Sequence, residues 1–77
     1  MRLCVVAGSG DLPKEILKSE KKQFDYACVI VLKDNAKIED YSEYDSEEFA
    51  LGQIGKGIAF LKKHKVTHIV FAGAVKR

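Results

Sequence analysis

Chemistry in this 77-residue chain would have to come from two glycine-marked turns. The first is Gly8-Ser9-Gly10-Asp11-Leu12-Pro13, set directly after the apolar run Arg2 to Ala7 and before an amphipathic segment. Amides at the start of a helix have no partner within it and lie at the positive end of its dipole, so such a turn can hold a phosphate or a sugar hydroxyl. Asp11 stands at its entrance, either capping the helix or hydrogen bonding a ligand hydroxyl. The second turn, Gly73-Ala74-Val75-Lys76-Arg77, ends on two cations.

Neither turn is diagnostic alone. Gly8-x-Gly10 begins as a dinucleotide-binding turn does, but the third glycine expected there is Pro13, which cannot supply the close helix-to-strand contact. Glycine in a first βα turn also serves backbone geometry alone. Gly52-Gln53-Ile54-Gly55-Lys56-Gly57 is not a phosphate loop: only two residues separate its second glycine from the first, and Gly57 follows Lys56 where serine or threonine is needed. Glycines 55 and 57 each cost a helix about 1 kcal/mol relative to alanine, which predicts close packing on the sheet or on a partner. Gln53 points either into a crevice or at solvent. His64 and His68 are split by a helix end and lack a nearby carboxylate, so a metal site is not expected. Cys4 and Cys28 lie in apolar runs and read as buried free thiols. No Ser-His-Asp, Cys-His or paired-carboxylate arrangement is present, and the aromatics do not interleave with the basic residues, which argues against nucleic acid.

The elements that must position these turns follow from periodicity. Arg2 to Ala7 and Tyr26 to Leu32 are near-continuous apolar runs, as in strands covered on both faces. Pro13 suits a first helical turn, and Leu12, Ile16 and Leu17 give an apolar stripe for a helix fading near Lys22 or Gln23. Lys33 to Ser46 reads as an acidic surface loop, with a weak strand near Glu48 to Leu51. Ile54, Ile58 and Leu61 fall at i, i+4 and i+7 in a helix running from Gly52 to His64 or Lys65, and Thr67 to Ala72 is the last strand. This order predicts an α/β fold: a mostly parallel sheet of about four strands, order 3-2-1-4, with helices on both faces. Strands one and four then lie side by side at the switch point, and the two glycine turns meet in one crevice beside Lys76 and Arg77.

The length allows one small domain, which buries only about 60% of its unfolded surface. No apolar run approaches the roughly 20 residues of a membrane span and no secretory signal is visible, so a cytoplasmic protein is expected. The net charge of +2 is uneven: residues 1 to 32 hold five basic and four acidic groups, 33 to 48 two and seven, and 49 to 77 six and none. The carboxylate-free final third would attract anionic partners, unless Lys62, Lys63 and Lys65 are simply a solvated helix end.

Taken together, VVAGSGDLP at 5 to 13 and LGQIGKGIAFLKKHKVTHIVFAGAVKR at 51 to 77 resemble the amino-terminal domain of the UDP-2,3-diacylglucosamine pyrophosphatase family of the LpxI type. Ala7, Gly8, Gly10, Leu12 and Pro13 match its first element, Gly52, Gln53, Gly55, Ile58, Leu61 and Lys62 its second, and Val66, Val70, Ala72, Gly73, Val75 and Arg77 its third. The resemblance implies a Rossmann-like domain in lipid A biosynthesis, where Mg2+- or Mn2+-dependent hydrolysis of UDP-2,3-diacylglucosamine gives UMP and lipid X. In that family the catalytic and metal-binding acids belong to a carboxy-terminal domain. These 77 residues alone are therefore expected to be inactive and to need that domain, with no catalytic or metal residue of their own.

The half-site implied here consists of the amides of Gly8, Ser9, Gly10, Asp11 and Leu12 and of Gly73 and Ala74, with Lys76 and Arg77 supplying positive charge and Gln53 as an addition. Its expected partners are UDP-2,3-diacylglucosamine or lipid X, with peripheral association at the inner membrane through the lipid substrate. The alternative is a non-catalytic α/β interaction or nucleotide-binding module, in which an uncovered apolar face makes a homo-oligomer. A nucleotide reading is weakened because Lys33, not an acid, follows the second strand.

Overall fold

The computed structural model describes residues 1–20 and 22–74. The chain runs β1 (Arg2–Ala7), α1 (Leu12–Ser19), β2 (Tyr26–Leu32), a 3-10 turn (Ile38–Tyr41), β3 (Asp45–Phe49), α2 (Ile54–Lys63) and β4 (His68–Ala72). The four strands form one parallel sheet in the order β3-β2-β1-β4, as the alternation of elements predicts. Alternate residues of the strands face opposite sides, and each side has its own core. Leu3, Val5, Ala7, Val29 and Val31 pack on the side of Leu17 in α1, whereas Cys4, Val6, Cys28, Ile30 and Leu32 pack on the side of Phe60 in α2. Continuous apolarity in β1 and β2 is thus explained by two covered faces.

Four boundaries differ from the periodicity. Helix α1 stops at Ser19 rather than near Lys22. The Ser19 hydroxyl donates to the Ile16 carbonyl, which also takes the Glu20 amide, so the last turn is closed locally. Helix α2 begins at Ile54 rather than Gly52. Strand β3 spans Asp45–Phe49 instead of Glu48 to Leu51, because an edge strand needs only one buried anchor, here Phe49, and tolerates acids elsewhere. Finally, Lys33 to Ser46 is more than a surface loop: it folds Tyr41 into the α1-side core at 2% exposure.

The stripe read in α2 also changes. Phe60, not Ile58, is its anchor in the core, meeting Phe49 edge to face at 6.1 Å, while Ile58 is 48% exposed. Nor do glycines 55 and 57 serve packing on the sheet, since a β-carbon at either would meet no atom within 4 Å.

Candidate functional site at the switch point

The carboxyl ends of β1 and β4 lie side by side, and their turns clasp each other. The Gly8 amide donates to the Ala72 carbonyl at 2.8 Å, the Ser9 amide to the Ala74 carbonyl at 2.8 Å, and the Ala74 amide returns to the Ser9 carbonyl at 3.1 Å. The Ser9 hydroxyl adds a bond to the Ala74 carbonyl at 3.0 Å. This short antiparallel bridge explains two glycines physically. A β-carbon on Gly8 would stand 2.5 Å from the Ala74 oxygen, and one on Gly73, whose φ is +89°, would stand 2.5 Å from the Ser9 oxygen. Only glycine lets the two backbones approach so closely.

The clasp sorts the half-site. Among the described residues, the amides of Gly8, Ser9 and Ala74 are engaged by the backbone, whereas those of Gly10, Asp11, Leu12 and Gly73 have no partner. Gly10, Asp11 and Leu12 lie on the exposed approach to α1, with Pro13 buried behind them. Unpaired amides at a helix start favour an anionic or hydroxyl ligand. Asp11 does not cap: it occupies the position before the helix with its side chain making no capping bond, so its carboxylate is left exposed at the mouth. The reason is its backbone, which is already near-helical at φ −95°, ψ −7° rather than in the extended region that a capping side chain needs. Gln53 turns its Oε1 to the Ala50 amide at 2.8 Å and closes the turn into α2. Lys76 and Arg77 lie outside the described residues.

A second concavity runs beside α2. This groove, of about 400 Å³, is lined by Val6, Leu51, Ile58, Leu61, Ile69 and Phe71 among others, and among the described residues no charged side chain lines it. The sequence held a signal for it that periodicity in α2 alone did not disclose: Ile69 and Phe71 alternate with Val70 and Ala72, so β4 has an apolar residue on both faces.

At the amino end of the sheet the polar side chains form a tie. The Tyr26 hydroxyl donates to Asp45 and meets His64 Nδ1 at 2.9 Å, and the Arg2 guanidinium lies 4.0 Å from the centre of the Tyr26 ring. Arg2 Nε also donates to the His64 carbonyl at 2.6 Å. Burial, and secondarily Asp45, push the Tyr26 phenol above its ordinary value. The tie joins β1, β2, β3 and the end of α2, and no spacing in the sequence announces it. Cys4 and Cys28 are in-register neighbours on β1 and β2, both buried and free. The hydrogen bond with Cys28, followed by burial, drives the Cys4 thiol upward, while the same bond draws Cys28 downward, and both side chains are closed off from solvent. His68 contacts Thr67 and the Phe24 ring instead of His64.

The family model of the LpxI N-terminal domain matches residues 2–77. The chain belongs to the LpxI N-terminal domain family. A comparison with curated proteins returns no match. Membership relates this LpxI N-terminal domain to lipid A biosynthesis. Among its described residues no helix is long and apolar enough to cross a membrane, and no three His, Cys, Asp or Glu side chains are grouped to hold a metal ion.

Proposed function

We propose that this LpxI N-terminal domain is the glycolipid-binding half of a UDP-2,3-diacylglucosamine pyrophosphatase, an enzyme that hydrolyses the pyrophosphate to UMP and lipid X. The observation that carries the reading is the clasp between Gly8-Ser9 and Gly73-Ala74, which leaves the unpaired amides of Gly10, Asp11, Leu12 and Gly73 together at the switch point, where ligands of such sheets bind. Those amides would hold a phosphate or sugar oxygen, and Asp11 a hydroxyl. Lys76 and Arg77 are proposed to add positive charge.

Catalysis is assigned to a carboxy-terminal domain, in the same chain or a separate one. The Mg2+ or Mn2+ of the family enzyme would be held there, as the family resemblance implies. These 77 residues alone would then bind without turning over. We place the domain in the cytoplasm, peripheral at the inner membrane through its lipid substrate.

The test is titration of the 15N-labelled chain with lipid X or UMP, followed by assay for UMP release with Mg2+ or Mn2+. Amide shifts should concentrate at Gly10, Asp11, Leu12 and Gly73, with no UMP formed. Shifts confined to other residues would move the ligand elsewhere, and turnover would overthrow the division of labour. A second reading, a non-catalytic module that self-associates, is favoured by the exposed apolar groove beside α2. Light scattering separates it, since it requires a ligand-blind oligomer.

A further inference from the structure

Glycine stands on both sides of the clasp, Gly8 and Gly10 in the first turn and Gly73 in the last. Glycine has the most conformational freedom to lose on ordering, so two turns built this way would part readily unless something else held them. Ser9 is the one side chain between Gly8 and Gly10, and all three of its polar groups reach Ala74. Its amide and its hydroxyl both donate to the Ala74 carbonyl, at 2.8 and 3.0 Å, and its own carbonyl accepts the Ala74 amide at 3.1 Å. Both lone pairs of the Ala74 oxygen are thereby filled. Burial does not require the second donor, because Ala74 is exposed, its oxygen already has the Ser9 amide, and water could serve the hydroxyl. The hydroxyl therefore restrains the turn instead of satisfying an unmet bond.

What it restrains is Gly73. The peptide before Gly73 is held through the Gly8 amide on the Ala72 carbonyl, and the peptide after it through the Ala74 amide on the Ser9 carbonyl. With both neighbouring peptides fixed, the unpaired Gly73 amide keeps one direction despite the freedom of a glycine at φ +89°. We propose that Ser9 is a positioning residue of the switch-point site: its hydroxyl latches Ala74, and so holds the Gly73 amide beside those of Gly10, Asp11 and Leu12, without touching the ligand. This role rests on the reading of that site as one for a phosphate or sugar oxygen of the glycolipid. It also gives Ser9, which the sequence suggests as a ligand contact, a different task. A neutral hydrogen bond of this kind is worth about two- to tenfold in an equilibrium, too little to decide folding and enough to set how often the turn is closed.

The experiment compares the parent 77-residue chain with Ser9→Ala and Ser9→Thr in two arms, at a temperature where circular dichroism shows all three folded. Without ligand, hydrogen exchange at the Ala74 amide should quicken about two- to tenfold in Ser9→Ala. Titrated with lipid X, Ser9→Ala should bind about two- to tenfold more weakly, and the ligand-induced shift should shrink first at the Gly73 amide. Ser9→Thr keeps the hydroxyl and should restore both. Weaker binding with unchanged exchange at Ala74 would make the hydroxyl a direct ligand contact, and faster exchange with unchanged affinity would make the clasp a feature of the fold alone. Either result overturns the proposal, as does indifference of both arms to Ser9→Ala. Absence of shifts in the parent chain would overturn the glycolipid reading and with it the site that Ser9 positions. The exchange arm, run without ligand, distinguishes that failure from failure of the latch.

Discussion

The two faces of the sheet are built from the same strands, yet only one is closed. On the α1 side, Leu17 and Tyr41 are fully buried and Ile16, Phe24, Ile38, Tyr44 and Val70 pack around them. On the α2 side, Phe60 covers the part next to Phe49, while Ile69 and Phe71 of β4 stay open. Strand β4 shows the contrast within five residues: Ala72 is buried on one face and Phe71 is 79% exposed on the other. What differs is not strand composition but the cover. The α1 face has a helix and a folded connection, whereas the α2 face has a helix anchored mainly by one phenylalanine. Stability should therefore reside on the first face and adaptability on the second.

The largest test of that division is a matched pair of truncations. Tyr41→Ala removes an aromatic ring that is 2% exposed and should cost about 3–5 kcal/mol, a large share of what a small domain possesses. Phe71→Ser removes a similar ring from the open face and should change stability by less than about 0.5 kcal/mol, since surface substitutions rarely exceed this. Urea unfolding monitored by circular dichroism measures both. A large loss from Phe71→Ser would mean that the α2 face is closed in solution.

That pair also shows what could be read from residue order. The strands, their parallel order and the meeting of the two glycine turns were legible because β1 and β2 are apolar on both faces and glycine marks each turn. Tyr41 was not, since an irregular segment buries residues without a period. In α2 the helical spacing identifies a stripe but not which part of it meets the sheet: Leu61 packs against the core beside Phe60, while Ile58 stays exposed. At the site, the glycine positions were legible, but the division between engaged and unpaired amides was not. That division depends on a reciprocal bond between Ser9 and Ala74, residues 65 positions apart, with side chains too small to announce it.

A smaller effect separates the faces through glycine. A β-carbon at Gly55 meets nothing within 4 Å, so Gly55→Ala should remove the backbone entropy penalty without a clash. The expected gain is about 1 kcal/mol, visible as a rise of roughly 4–8 °C in melting temperature. The same result is expected at Gly57, which borders the groove, only while that groove is empty. Stabilisation by Gly55→Ala but not by Gly57→Ala would show that the groove beside Gly57 is occupied in solution.

The last test concerns the tie that holds the end of α2. The Tyr26 phenol is shifted upward by burial and by its bond to Asp45, so the folded chain keeps this proton to higher pH than the unfolded chain does. A raised value means that the stabilisation is complete below the unfolded tyrosine value of about 10 and is lost as pH rises beyond it. Burial shifts Tyr41 in the same direction, so some alkaline loss belongs to the α1 face. Tyr26→Phe isolates the rest: it cannot ionise, and it leaves Asp45 and His64 without their shared hydroxyl. Melting curves between about pH 8 and 11 should therefore fall less steeply for Tyr26→Phe than for the parent chain. Parallel curves would mean that the tie does not hold α2, and that the packing of Phe60 and Leu61 keeps it on the sheet.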